Sequence, residues 1–115
     1  MDRQKKLNAF FFKNSSGREP VRDWLKSLTK EERKLIGDDI KTVEYGWPIG
    51  MPVCKGMGRG LYEVRTELRD TIARVLFSIS GNKMLLLHGF VKKTKKTPKN
   101  ELETAHCRLK EAILK

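Results

Sequence analysis

Three strand-forming runs crowd into residues 61–91, and they constrain the fold more than any other feature of the chain. Leu61–Thr66 alternates, with Glu63 and Arg65 on one face and Tyr62 and Val64 on the other. Ile72–Ile79 is rich in β-formers and holds one charge, Arg74. Met84–Val91 is nearly all apolar and reads as a central strand buried on both sides. Ser80-Gly81-Asn82-Lys83 supplies a hairpin turn between the last two. The remainder of the chain must cover the sheet these runs form.

Leu7–Phe12 is a plausible first strand, closed by the turn cluster Asn14-Ser15-Ser16-Gly17. Pro20 suits the first turn of a short helix, on which Val21, Trp24, Leu25 and Leu28 form one apolar stripe. Thr29 and Glu32 fit a capping box for a second helix, with Ile36, Ile40 and Val43 on its inner face and Gly46 as its stop. Residues 47–60, with two Pro and several Gly, read as a loop without regular structure. Thr97 and Pro98 suit the N-cap and first position of a final helix, where Leu102, Ala105, Leu109, Ala112 and Ile113 recur at helical spacing. The expected order is strand, two helices, three strands, helix. That is an α+β domain with a small, mostly antiparallel sheet and helices packed against it.

At 115 residues the chain suits one domain, spanning 1–115. Its 38% hydrophobic content allows a modest core and argues against a wholly disordered chain. The longest apolar runs, near Phe10–Phe12 and Met84–Leu87, fall far short of the roughly 20 residues a spanning helix needs. The segment Met1–Lys6 has no apolar stretch of a secretory leader, so the expected location is the cytoplasm. Cys54 and Cys107 form no CxxC pair, and two His complete no zinc site at a usual spacing. Free thiols, no metal and no cofactor are the expectation.

The net charge is +11, and it is uneven. Residues 1–54 hold 11 basic and 8 acidic side chains, while residues 55–115 hold 14 and 6. Such an excess attracts polyanions over long range. Five lysines fall within Lys92–Lys99 with no acid among them: Lys92, Lys93, Lys95, Lys96 and Lys99. They either meet the phosphates of a nucleic acid or form a solvated loop. The last helix mixes Lys110 and Lys115 with Glu101, Glu103 and Glu111, which does not suit a membrane surface.

The run Leu61-Tyr62-Glu63-Val64-Arg65, then Arg74-Val75-Leu76-Phe77, then Leu87-His88-Gly89-Phe90-Val91-Lys92-Lys93-Thr94-Lys95-Lys96-Thr97-Pro98, with Glu101 through Ala105 and Arg108, resembles the phage-derived, HigB-like branch of the RelE/ParE toxin superfamily. The similarity covers roughly residues 8–112. The resemblance implies a RelE-like fold and the toxin of a type II toxin–antitoxin pair. It implies metal-independent mRNA cleavage in the ribosomal A site, in contact with mRNA and rRNA. It also implies a helix-turn-helix antitoxin as partner. A non-catalytic, RNA-binding or autoregulatory relative is an alternative reading, and a ParE-like inhibitor of DNA gyrase is another, since a fold does not fix a function.

Metal-free RNA cleavage needs a base for the 2′-OH, positive charge for the developing phosphorane, and a proton donor for the 5′-oxygen. Arg74, alone in a buried strand, is the leading charge stabiliser; its alternative role is a salt bridge to Glu63 or another acid on the adjacent strand. Glu63 and Arg65 occupy two positions that are basic in the resembled toxins. Glu63 departs from that pattern and is either a carboxylate base or an ion-pair partner of Arg65 or Arg74. Lys93 is the lysine expected near the scissile phosphate. Lys55 and Arg59, from the Gly-rich loop, join Lys92, Lys95, Lys96 and Lys99 as expected RNA contacts. His88 shares a face with Met84, Leu86 and Phe90 by alternation, which suits a hydrogen-bonded core His; its ordinary pKa also suits proton transfer. Tyr62 and Phe77 either stack on bases or pack in the core. No Tyr follows the final strand, and the leaving-group donor is unassigned.

Overall fold

The computed structural model describes residues 4–113; Met1–Arg3, part of the segment read for a leader, and Lys115 lie outside them. Strand β1 (Asn8–Phe11) is followed by helices α1 (Pro20–Lys26) and α2 (Lys30–Gly46). Four strands come next: β2 (Cys54–Gly58), β3 (Leu61–Glu67), β4 (Ile72–Ser80) and β5 (Lys83–Lys92). Helix α3 (Lys99–Ile113) closes the chain. The sheet order is β1-β5-β4-β3-β2. Only β1 and β5 run parallel; the other three neighbouring pairs are antiparallel. The architecture is α+β, three helices on a five-stranded sheet.

Local signals set the element ends. Pro20 opens α1 at a position where the missing N–H costs nothing. Thr29 and Glu32 form the reciprocal capping box, at 3.1 and 3.0 Å. Two residues, Gly81 and Asn82, turn β4 into β5. Val21, Ile36, Ile40 and Val43 from α1 and α2 cover one face of the sheet with Val64, Val75 and Phe77. Ala105 of α3 covers the other face with Leu61, Leu76, Leu87 and Phe90. Trp24 lies against the bare backbone of Gly89, where an added Cβ would sit 2.3 Å from Trp24 Cε3.

Three expectations are corrected. Residues 47–60 are not all loop, because Cys54–Gly58 pairs with β3 as an edge strand. Only Cys54 of this strand is buried, so the sequence carries no apolar alternation to reveal it. Its hairpin turns through Gly58, Arg59 and Gly60, all with positive φ. Second, β5 bulges opposite the Leu76–Phe77 step. Met84 and Leu86 therefore face α1 and α2, whereas Leu87, His88 and Phe90 turn toward α3. Third, Thr97 gives its hydroxyl to Glu63 of β3 rather than to a helix cap. Among the described residues no helix is long and apolar enough to cross a membrane.

Candidate functional site

Pairing of β3 with β4 sets Arg65 directly opposite Arg74. Like charges in that position repel. Glu63, two residues along β3 on the same face, offsets them: its Oε1 lies 3.6 Å from Arg65 Nε and 3.8 Å from Arg74 Nε. Its other oxygen accepts from the Thr97 hydroxyl. Both Glu63 and Arg74 are fully buried, whereas Arg65 keeps an exposed fraction.

The segment after β5 closes over this trio by its main chain. Arg74 Nη2 donates to the carbonyls of Thr94 and Lys95, the second at 2.7 Å. Arg65 Nη2 donates to the same Lys95 carbonyl at 3.0 Å. Buried Arg74 and half-buried Arg65 thus grip the Lys-rich loop, and the side chains of Lys92, Lys93, Lys95, Lys96 and Lys99 are all left exposed. Nε and Nη1 of Arg74 are buried without a hydrogen-bond partner. Burial pushes the Arg74 pKa down, and the nearby Glu63 carboxylate opposes that shift. In this arrangement Arg74 is taken up by the loop's main chain, and the cationic groups that keep exposed surface are Arg65 and the lysines.

A second cluster ties α3 to β5. Arg108 Nη1 donates to the Leu87 carbonyl at 2.9 Å and lies 3.0 Å from His88 Nδ1. Guanidinium has no acceptor, so Nδ1 accepts, and the ring proton sits on Nε2, 2.8 Å from Glu101 Oε1. Both nitrogens of His88 are engaged. Its ring stacks on Phe90 at 5.6 Å, and the Arg74 guanidinium lies 5.9 Å from the Phe90 centroid. Glu101 and Arg108, which no role was given at the level of sequence, stand seven residues apart. That i, i+7 spacing on an amphipathic helix is the signal that places them on one face.

The other expected site residues scatter. Lys55 is exposed on the edge strand β2, in register with Glu63. Arg59 sits at the hairpin tip with φ 54°. Tyr62 and Phe77 stack on each other at 5.6 Å, with Trp47 edge-on to both, inside the core under α2. Cys54 is buried and Cys107 exposed, both free thiols. Burial, then the Glu63 charge, pushes the Cys54 thiol up to about 11. Among the described residues no three His, Cys, Asp or Glu side chains converge as metal ligands do.

A family model described as phage derived protein Gp49-like (DUF891) matches residues 23–110, which takes in both clusters and the Lys-rich loop. No curated protein matches the chain.

Proposed function

The chain belongs to the phage-derived Gp49-like family, which is associated with RelE-like and toxin-like proteins, and on that premise we propose that it is the toxin of a type II toxin–antitoxin pair and cuts mRNA on the ribosome. One observation carries the reading: three exposed lysines, Lys93, Lys95 and Lys96, stand on a loop whose carbonyls are gripped from beneath by Arg65 and Arg74, with exposed Lys92 and Lys99 at its two ends. A loop pinned by its main chain fixes where its lysines start, and their flexible stems leave the ammonium groups free to reach phosphate. Such a lysine cluster binds RNA phosphates with release of counterions. It also supplies positive charge where negative charge builds on phosphorus as the 2′-oxygen attacks.

In this reading Lys93 lies nearest the scissile phosphate, and Lys92, Lys95, Lys96 and Lys99 track the strand to either side. Arg65 adds directed N–H donors from the loop's base. Arg74 is a positioning residue that holds the loop, and Glu63 keeps the two arginines compatible. A cognate helix-turn-helix antitoxin is the partner that neutralises the toxin. A second reading, RNA binding without cleavage, is favoured by one observation. The Glu63 carboxylate and both ring nitrogens of His88 are already engaged by protein partners.

Primer extension on an mRNA in a reconstituted translation reaction separates the two. Cuts in reading-frame register that need ribosomes support the nuclease. Lys93→Ala should then lower cut yield by about a hundredfold, the usual loss when one charge-stabilising group is removed. Salt-dependent RNA binding with no cuts in any reaction selects the second reading.

A further inference from the structure

A cavity of about 590 Å³ opens beside the cationic loop, where β3 runs on past the start of β2. Its volume falls in the range of about 300–1,000 Å³ usual for small-molecule sites. Leu35 of α2 and Met51 line it at 41% and 59% exposure, unusual for large apolar side chains, and Ile72 adds to the same walls. Thr66, only 3% exposed, lines it as well, and its hydroxyl has no partner.

Charges of both signs rim the cavity. Arg65 and Lys95 bring positive charge from the site described above. Asp38 and Asp39 bring carboxylates from α2, and Glu67 adds one from β3. Asp38 is held by Lys34 at 3.0 Å, whereas no side-chain bond or ion pair occupies Asp39 among the described residues. A wholly basic or wholly acidic ligand meets its own sign on part of this rim. A nucleotide does not: its phosphate is anionic, its base is flat and apolar, and its far edge donates hydrogen bonds.

We propose that this cavity takes one base of the bound RNA and prefers bases that carry an exocyclic amino group. The inference rests on the RNA-binding part of the reading above and not on cleavage. The phosphate stays with Arg65 and Lys95, and the base lies between the Leu35 and Met51 side chains. Adenine, cytosine and guanine each offer an NH₂ donor to the carboxylates of α2. Uracil offers one N–H flanked by two carbonyls, which a carboxylate repels. Donors to a charged acceptor are worth about tenfold or more in binding.

The test is an amide NMR titration of the whole chain with 2′-O-methyl trinucleotides, which have no 2′-OH and cannot be cut. A₃ and C₃ should shift the amides of Asp39, Val53, Thr66 and Ile72 saturably, with U₃ about tenfold weaker. The Asp38→Asn, Asp39→Asn double variant changes exposed or half-buried positions of α2 and should erase the preference while leaving the other amides in place. Equal binding of U₃, shifts confined to Lys92–Lys99, or no shift at all would overturn the proposal. Because nothing is cleaved in the titration, its failure leaves the nuclease reading to the primer-extension assay, and a failed cleavage assay leaves the cavity to this one.

Discussion

A guanidinium with no exposed surface must be held by its neighbours. Arg74 is held by two loop carbonyls on one side and Glu63 on the other. Removing one partner of a buried pair strands the other, at a cost of about 3–5 kcal/mol. Glu63→Gln should therefore lower unfolding free energy by roughly that amount in urea titrations. The double variant Glu63→Leu, Arg74→Met should cost clearly less than the sum of its singles, since no charge is left unpaired. Gly89 is a simpler case. A methyl there meets the Trp24 ring at 2.3 Å. Gly89→Ala should cost about 1–3 kcal/mol, and Trp24→Leu in the same chain should recover part of it. Cys54 adds a pH dependence. Its thiol titrates near 11 in the fold against an ordinary 9.0. The folded state thus holds the proton more tightly. Its contribution is fully present below about pH 9 and is lost as pH rises from 9 toward 11. A Cys54→Ala chain should lose less stability over that interval, and iodoacetamide at neutral pH should label Cys107 far ahead of Cys54.

Elements differ in how much their own residues decide. Helix α2 carries its start signal in four residues, and both reciprocal bonds of the Thr29–Glu32 box form. Thr29→Ala should cost about 1 kcal/mol in chemical denaturation. Strand β2 is the opposite case. Gly56 and Gly58 give it no side chains to bury, and it exists because β3 offers an unpaired backbone edge. The bulge in β5 is of the same kind. Alternation alone sets His88 with Met84 and Leu86, and one extra residue opposite β4 turns it to α3. Thr97 reads as a helix cap by type and place, yet the nearest strong acceptor in the fold is Glu63.

For the molecule as a whole, the excess charge lies in the second half of the chain, and the fold gathers its densest part on one loop at the end of the sheet. If that loop is the RNA contact, affinity should fall steeply with salt. Replacing Lys93, Lys95 and Lys96 by Ala should reduce the slope of log K against log[salt] by about 2, at roughly 0.7 per single-strand phosphate contact. Filter binding across a salt series reads this directly, and an unchanged slope would remove the loop from the interface. The two sheet faces divide the labour. The face under α1 and α2 is almost purely apolar, and the polar clusters stand on the face toward α3.

The sequence by itself determined what depends on near neighbours. Hydrophobic period marks three helices and four of the five strands, caps and turn residues mark their ends, and the lysine run is visible to the eye. These are local properties, set by the geometry of a few successive residues. Only the tertiary structure decided what depends on distant partners. Arg74 and Arg65 meet across a strand pair and reach a loop 20 and 30 residues on. Glu63 is buried by Thr97, 34 residues away. Asp39, Thr66 and Lys95 come to one cavity from three different segments. A backbone edge, a bulge and an ion trio around buried Glu63 and Arg74 have no period, so no pattern in the chain announces them.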